Sequence, residues 1–502
     1  MTTALTAPGD TELPGRVRAS LTAGRHLLRR HWLFTVFLVG GTTLRALAWA
    51  AYQPAFFYSD SVDYLKNTGH WPGTSWHPPG YPLVLDLLDY GHHLAVVTAV
   101  QHLLVVAAAA AIYLLLLRLG CSRIVAALAT APVLLDAYQI DIEQYILAES
   151  VFEALIVAAI VVLLWPSRHR VQRTVVRSVV AGLLLAFAAL VRLDAVGLVV
   201  PFAGWLAWTA SARRRPSSSC QRDSSDIRAV PLTRPGWVRA WAPAVAGVVT
   251  FAIPIAVFAM LRAGGGHGAT VTGEGAIWMY GRVAPFANCP ADGIPTSERP
   301  LCPTAPQAAA HGSVWFQNAD DSPVRVYLAS HPGDTPTVEA FARRVILHQP
   351  LDYAGTVFTD FVKQFRPTRL QTDHDPDVSV WLFPSDHLYV TVNNPDPRPL
   401  LAQYGHGDAR IDVGIATFLH DYQTFGFLTG LVPAVLLVGS TTVLVVRRRH
   451  PLAPALWLWL SAAVVVMLVP AATVLFSWRY VLPTLLLYPP AGAVAWTMWR
   501  RA

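Results

Sequence analysis

A small set of acidic and basic side chains in this sequence has the types and spacing needed for group-transfer chemistry. Asp60 and Asp63 lie in one polar segment, and Glu149 opens a later apolar stretch. Arg192 and Arg479 lie in two further turns between apolar stretches. Arginine binds phosphate through paired, charge-assisted hydrogen bonds, and a nearby carboxylate can accept a proton from a hydroxyl or hold a divalent cation. Brought together, these residues predict transfer of a group from a phosphate to a hydroxyl acceptor.

The composition of the chain indicates which elements must position them. Of the 502 residues, 54% are hydrophobic and 14% are charged, and the mean hydropathy is +0.41. A soluble domain needs about 25% charged residues to cover itself for water. The chain is therefore predicted to be a polytopic membrane protein, which excludes a disordered chain, a collagen and a small disulfide-stapled domain.

Ten apolar stretches approach the ~20 residues that cross a hydrocarbon core of about 30 Å. They are 32–50, 94–117, 124–138, 147–165, 178–191, 194–211, 240–262, 425–446, 452–476 and 480–498. The predicted fold class is an all-α bundle of about ten transmembrane helices with one large external domain. In that domain only 337–348 and 352–365 show helical spacing, so the rest is expected to be mixed or irregular.

The distribution of basic residues predicts the orientation of this bundle. If the N-terminus lies inside, the cytoplasmic segments hold 23 Lys or Arg residues and four acids, whereas 263–424 holds 10 basic and 17 acidic residues. This satisfies the positive-inside rule at every loop and places both termini in the cytoplasm. The net charge of +7 thus reflects topology, and a nucleic-acid partner is not expected.

Four segments follow from this topology. They are a cytoplasmic tail at 1–31, an N-terminal membrane domain at 32–262 whose first external loop is 51–93, an external domain at 263–424 and a C-terminal membrane domain at 425–502. Every short external turn then carries acids or an arginine. The residues concerned are Asp60, Asp63, His77, Asp136, Asp141, Glu143, Glu149, Arg192, Asp194, Arg479 and Tyr480. Ionisable groups at membrane depth are costly, so this one-sided set predicts a site at the outer membrane boundary.

Two of the four cysteines, Cys289 and Cys302, lie in the predicted external domain. A pair that closes a short, proline-rich loop outside the cytoplasm is typical of a disulfide. Two free thiols are the alternative.

Several short motifs resemble those of GT-C membrane glycosyltransferases, and are closest to the protein O-mannosyltransferase and aminoarabinose transferase branch. The first external loop carries Asp60-Ser61-Val62-Asp63-Tyr64, Gly69-His70-Trp71 and His77-Pro78-Pro79-Gly80-Tyr81-Pro82. The later motifs are Ala148-Glu149-Ser150, Arg192-Leu193-Asp194 and Arg479-Tyr480-Val481-Leu482-Pro483. The chain departs from the family pattern at Ser61, where the family often has Glu, and at Leu193, where it has Pro.

The resemblance implies a GT-C-like bundle that takes a sugar from a polyprenyl-phosphate donor. By position in the motifs, Asp60 is the expected catalytic base, and Arg479 and Arg192 are expected to neutralise the phosphate. Glu149 would position the acceptor or, with Asp60, hold a divalent metal ion. Inversion at the anomeric carbon would follow.

The remaining motif residues are expected to bind or orient substrate. They are Asp63, Tyr64, His77, Tyr81 and Tyr480. The sugar, a hexose or a pentose, and the acceptor, a glycan, lipid or protein, stay open. The predominance of arginine over lysine favours a GC-rich bacterial genome, in which the outer face is the cell-envelope side.

Two other functions fit parts of the pattern. A transporter or flippase for a lipid-linked or anionic solute would also use charged groups in a membrane bundle, although transporters place them near the midplane. A scaffold or sensor would use the external domain to bind a partner and would tolerate loss of the charged residues.

Overall fold

The computed structural model describes residues 29–70, 77–88, 93–166, 171–212, 236–265, 272–290, 293–369, 375–376, 378–385, 402 and 409–501. Trp71 of the first-loop motif and most of the predicted cytoplasmic tail lie outside these residues.

The N-terminal membrane domain consists mainly of helices. They are α1 (Trp32–Ala51), α2 (Ser59–Lys66), α3 (Gly80–Leu88), α4 (Leu94–Arg118), α5 (Arg123–Leu135), α6 (Ala137–Gln144), α7 (Glu149–Leu164), α8 (Val171–Val191), a 3₁₀ turn (Leu193–Leu198), α9 (Val199–Ala212) and α10 (Gly236–Gly264). The C-terminal membrane domain consists of α18 (Leu431–Val446), α19 (Ala453–Thr473), α20 (Trp478–Val481), a 3₁₀ turn (Leu482–Leu486) and α21 (Tyr488–Arg500).

The fold is all-α, as predicted, and a helix coincides with each of the ten predicted spans. In the described part of the chain, seven segments are long and apolar enough to cross a membrane, or eight if the bent pair α5 and α6 forms one span. The other two predicted spans correspond to α7 and α18, which have 16 residues each. Helices satisfy their own backbone hydrogen bonds, so apolar segments of this length fold as helices in lipid.

Small residues allow the helices of the N-terminal domain to pack closely. A Cβ atom on Gly182 of α8 would lie 2.4 Å from the carbonyl oxygen of Gly247 on α10. Small residues at such crossings let backbones approach, which drives helix association in lipid. This packing holds α8 in place, and Arg192 follows directly at its outer end.

The external segment folds mainly into short helices. They are α11 (Gly275–Val283), α12 (Ala305–Ala310), α13 (Ser313–Asn318), α14 (Pro323–Ser330), α15 (Thr335–His348) and α16 (Pro350–Lys363). The last two agree with the predicted helical spacing, but α11 to α14 fall where irregular structure was expected. These four helices are six to nine residues long, too short to give a clear period in sequence. A shared apolar core that includes Tyr280, Phe316 and Phe341 stabilises α11, α13 and α14, whereas α12 buries none of its residues. Cys289 and Cys302 form a disulfide here, with their Cα atoms 6.1 Å apart.

The first external loop is fixed to the bundle at two places. Tyr52–Gln53 (β1) pairs antiparallel with Arg410–Ile411 (β2), the segment that leads into α17 (Val413–Gln423). Further along, a Cβ atom on Gly80 would lie 2.6 Å from the carbonyl oxygen of Leu190 on α8. The start of α3 therefore sits directly against the outer end of α8, two residues before Arg192.

Candidate active site

A cavity of about 730 Å³ lies between the outer ends of the membrane helices and the external helices α11 and α13. Three separate parts of the sequence supply most of its charged and tyrosine lining, and Glu339 of α15 adds a further acid. Asp60, Tyr64 and His77 come from the first external loop, Arg192 and Asp194 from the turn after α8, and Arg479 and Tyr480 from α20. The fold thus brings together six of the nine predicted catalytic and substrate-binding residues around one space.

Asp60 faces the cavity from the first turn of α2. Its Oδ2 lies 2.7 Å from Nη1 of Arg479 and 3.7 Å from Nε2 of His77. Burial opposes ionisation of the carboxyl, but the positive charges of Arg479 and His77 outweigh it and hold the pKa of Asp60 well below its usual range. Asp60 is consequently a carboxylate at neutral pH, able to accept a proton.

His77 connects Asp60 to a second carboxylate behind it. Its Nδ1 lies 2.8 Å from Oδ2 of Asp63, which does not line the cavity. Burial disfavours the charged imidazole, yet Asp60 and Asp63 raise the pKa of His77 to about 9. An imidazolium held between two carboxylates fixes the orientation of the first-loop helix α2 relative to the turn before α3.

Two arginines, Arg192 and Arg479, also line the cavity. Arg192 is paired with Oε1 of Glu149 through Nη1 and lies 2.9 Å from Oδ2 of Asp194 through Nη2. Arg479 reaches the same Glu149 oxygen at 3.7 Å. Glu149 is 2% exposed at the first residue of α7 and lies beneath both guanidiniums. It therefore positions the two arginines from below, and the cavity lining does not include it.

Aromatic rings hold the guanidiniums in place. The Tyr480 ring lies between the two arginines, with its centroid 5.0 Å from Arg192 Cζ and 5.1 Å from Arg479 Cζ. Tyr58 and Trp381 also flank Arg479, at 5.2 and 5.6 Å. Cation–π contacts of this kind orient a guanidinium without using its N–H donors. Nη1 of each arginine faces a carboxylate, whereas Nη2 of Arg479 donates to the Tyr480 hydroxyl at 3.3 Å.

Tyr81, a predicted substrate-binding residue, is fully buried behind the site. Its hydroxyl donates to Oε1 of Gln101 at 2.7 Å, and its ring packs on that of Tyr64, with centroids 4.8 Å apart. It supports Tyr64, which does line the cavity. A tyrosine in a Pro-Gly-Tyr-Pro turn gives no sign in sequence of whether it faces inward or outward.

The acids of the second external turn are not part of the cavity. Glu143 pairs with Arg45 at 2.7 Å and with His102 at 2.8 Å inside the bundle, and Gln139 bridges Glu143 to Glu153. The clustering seen in sequence therefore divides into two groups. One group lines the cavity, while the other is a buried network that ties α1, α4, α6 and α7 together.

The two carboxylates predicted to hold a divalent cation both face an arginine. Among the described residues, no three His, Cys, Asp or Glu side chains converge closely enough to hold a metal ion. Asp60 and Glu149, the two predicted ligands, each face the guanidinium of Arg479. A guanidinium between two carboxylates supplies the positive charge that a metal would bring.

The sequence motifs do not include the part of the lining that the external domain supplies. Trp278 on α11 and Gln317 on α13 close the cavity from above, and the Gln317 amide donates to the Val474 carbonyl at 2.9 Å. Tyr58 and Trp381 were missed as well. No motif marks these residues, because their role depends on contacts between segments that are distant in sequence.

Comparison with known proteins agrees with the sequence motifs. Residues 92–263 match the model of the dolichyl-phosphate-mannose-protein mannosyltransferase family. The resemblance to GT-C membrane glycosyltransferases is thereby confirmed for the segment that holds Glu149 and Arg192. Among curated proteins, no sequence matches this chain significantly.

Two solved structures from Archaeoglobus fulgidus align with the fold at a TM-score of 0.42 and 12% sequence identity. They are the archaeal oligosaccharyltransferase AglB in complex with an inhibitory peptide and a dolichol-phosphate, and the oligosaccharyltransferase in its apo form. The alignment covers 94% of this chain and 50% of each of those chains. This chain therefore spans about half the length of those enzymes.

Proposed function

We propose that the protein is a membrane glycosyltransferase that moves a sugar from a polyprenyl-phosphate donor to an acceptor hydroxyl on the extracytoplasmic face. The observation that carries this proposal is the cavity lined by the Asp60 carboxylate and by two arginines, Arg479, which pairs with Asp60, and Arg192. The family match over residues 92–263 supports the reaction class, since that family is described by a dolichyl-phosphate sugar donor.

The two arginines bind the phosphate of the donor. Their guanidiniums project toward the cavity from the outer ends of apolar helices, which is the depth of a lipid phosphate whose chain lies in the membrane. Forked, charge-assisted hydrogen bonds to the phosphate oxygens then neutralise the negative charge that develops as the phosphate leaves. The sugar attached to the phosphate points into the part of the cavity near Asp60.

Asp60 acts as the base. Its carboxylate takes the proton of the acceptor hydroxyl while that oxygen bonds to the anomeric carbon. The bond between the anomeric carbon and the phosphate oxygen breaks on the opposite side, and its electron pair leaves with the lipid phosphate. Attack and departure on opposite faces give inversion. The leaving phosphate needs no proton, so one base and two arginines suffice.

Donor binding also activates the base. Before the donor arrives, Arg479 is paired with Asp60 and makes its carboxylate a weak proton acceptor. A phosphate that shares the Arg479 guanidinium weakens this pair, so the pKa of Asp60 moves back toward its ordinary value. The base therefore becomes stronger only when a donor is present.

The acceptor enters from the external side. Trp278, Gln317 and Asn318 of the external domain line the cavity, and positive-inside topology places this domain outside the cytoplasm. A hydroxyl on a glycan, a lipid or a protein can reach Asp60 along this wall. The transferred group is a hexosyl or pentosyl unit.

Replacement of the base tests the proposal. In membranes supplied with a polyprenyl-phosphate sugar, Asp60→Asn should lower transfer by about 10²–10⁴-fold, the usual contribution of a positioned general base. Asp86→Asn is the matched control, because Asp86 lies close by on α3 and accepts a hydrogen bond from the Gly69 amide at 2.9 Å, which an asparagine can keep. Mass analysis of cell-envelope glycans with each variant identifies the sugar and its acceptor.

The assay is run with and without EDTA, since the arginines are proposed to replace a metal ion. Transfer that is normal in Asp60→Asn would remove Asp60 as the base. Transport of the lipid-linked sugar with no transfer would favour the flippase. If wild-type transfer were lost when EDTA is added, the reaction would need a divalent cation.

A further inference from the structure

Helix α16 exposes an apolar face and buries the face that carries Asp360, which forms an ion pair. Leu351 is 84% exposed, Phe358 66% and Val362 37%. These residues are seven and eleven positions apart, so they share one face, and the exposed Ala354 and Gly355 lie between them. On the opposite face Asp360 is buried against Arg282 at 2.7 Å. A helix bathed in water shows the reverse pattern.

Both ends of α16 are attached to the membrane domain. Near its start, the Tyr353 hydroxyl donates to the carbonyl of Ala472, in the last turn of α19. Just beyond its end, the amide of Gly430, which precedes α18, donates to the carbonyl of Arg366 at 3.2 Å. The two attachments are thirteen residues apart along the chain, or about 20 Å of helix at 1.5 Å per residue.

The two attachments lie on the same side of the membrane. Helices α18 and α19 are consecutive and are joined by residues 447–452, so the start of α18 and the end of α19 belong to the same end of a helical hairpin. Because both ends of α16 are attached to this same end of the hairpin, the helix runs along the membrane surface. Leu431 and Val435, at the start of α18, are exposed as well, by 55% and 71%.

We propose that α16 is an interfacial helix whose stripe of Leu351, Phe358 and Val362 is inserted among the lipids of the extracytoplasmic leaflet. The start of α18, at the same end of the hairpin, also exposes large apolar side chains, so bilayer lipid is the occupant that covers both surfaces. An exposed run of large apolar side chains on a water-facing helix would be costly, whereas an amphipathic helix at the interface buries it about 5–10 Å into the headgroup boundary.

The contact gives the membrane a mechanical link to the cavity. Arg282, the partner of Asp360, lies on α11, and three other residues of α11 line the cavity: Gly275, Trp278 and Met279. Anchoring α16 in lipid therefore fixes the height of the cavity wall above the bilayer. This inference concerns how the external domain is seated and does not depend on the proposed reaction.

Spin-label accessibility on the full chain tests the insertion. In a background where Cys121 and Cys220 are serine and the disulfide is kept, Phe358→Cys and Val362→Cys are labelled with a nitroxide and reconstituted in phosphatidylcholine–phosphatidylglycerol vesicles. Ala310→Cys, exposed on α12, is the control. Oxygen, which concentrates in lipid, should relax the labels at 358 and 362 several-fold more than a water-soluble nickel chelate does, with the opposite order at 310.

Three results would overturn the proposal. The nickel chelate could relax the labels at 358 and 362 as strongly as it relaxes the label at 310, which would show a face in water. Dipolar broadening between labels on two chains would show that a second copy covers the stripe. If oxygen relaxed the labels at 358 and 362 no more than the label at 310, lipid would not reach the stripe.

Discussion

At the scale of single residues, the chemistry of the site depends on which charges face each other. His77 lies between Asp60 and Asp63, and Arg479 lies between Asp60 and Glu149. Opposite charges alternate from the first external loop to the turn after α8. Each charge stabilises its neighbours in a buried environment where an isolated charge would be costly. Besides Arg479, Asp60 and Glu149 each have a second cationic partner, His77 for Asp60 and Arg192 for Glu149.

The pH dependence of stability should show the charge on His77. Its pKa is raised from 6.5 to about 9 in the folded protein, so its contribution is complete below pH 6.5 and is lost as pH rises toward 9. Wild type should therefore melt at a higher temperature than His77→Gln at pH 6, and this advantage should shrink by pH 10. Thermal melting in detergent across this range measures it.

His348→Gln is the control for that measurement. His348 is exposed at the end of α15, and its Nδ1 lies 2.9 Å from the carbonyl oxygen of Arg344 in the same helix. Its melting curve should follow wild type at every pH. A His77→Gln deficit that stays constant from pH 6 to pH 10 would contradict a buried imidazolium.

At the scale of elements, the site is held by short turns and helices that pack on the ends of long ones. Helix α2 begins at Ser59, where the Tyr58 amide donates to Oγ of Ser61 at 2.9 Å and fixes the first turn that carries Asp60. Helix α3 begins at Gly80, against the outer end of α8. The position of Asp60 thus depends on the contact between Tyr58 and Ser61, and the positions of His77 and Arg192 depend on the contact between α3 and α8.

Adding a methyl group at Gly80 should separate α3 from α8. Gly80→Ala would place Cβ 2.6 Å from the Leu190 carbonyl oxygen, so the backbones must move apart, at a cost of about 1–3 kcal/mol for overpacking. We expect a lower melting temperature and reduced transfer, because His77 lies three residues before the strained contact. Differential scanning fluorimetry and the transfer assay measure the two effects.

Gly439→Ala is the matched substitution, because a Cβ atom at Gly439 of α18 meets nothing within 4 Å. It should leave transfer unchanged and stabilise the helix by up to about 1 kcal/mol. Equal melting temperatures for Gly80→Ala and wild type would show that the two backbones can separate freely.

At the scale of the whole molecule, membrane and external parts share one cavity. The external helices α11 and α13 cover it, and α16 links α11 to the ends of α18 and α19. The membrane and external parts are therefore joined around one cavity, which α11 and α13 cover. Its orientation in the membrane decides from which side the acceptor comes.

Reporter fusions test that orientation. Alkaline phosphatase inserted at Gly333, in the turn between α14 and α15, should be active, since this enzyme folds only outside the cytoplasm, and green fluorescent protein after Ala502 should fluoresce. The physical reason is the excess of basic residues in the predicted cytoplasmic segments. The control exchanges the two reporters. An active phosphatase after Ala502 would reverse the topology and place the site on the cytoplasmic face.

Local properties of the sequence determined the membrane class, the ten helices and the residues that carry the chemistry. Hydropathy over about 20 residues sets where a helix can lie in lipid, and the cost of burying charge confines ionisable groups to a few turns. Residue type and position therefore sufficed to place Asp60, His77, Arg192 and Arg479 at one end of the bundle, where all four line the cavity. The short external helices could not, because their stability comes from a shared core.

Only the tertiary structure decided which charges meet. Asp60 and Arg479 lie near opposite ends of the chain, and nothing local distinguishes Glu149, beneath the arginines, from Glu143, which pairs with Arg45 in the bundle. The external wall of the cavity and the outward apolar face of α16 likewise depend on how distant segments pack. Hydropathy and charge act along the chain, whereas a binding site is formed by contacts across it.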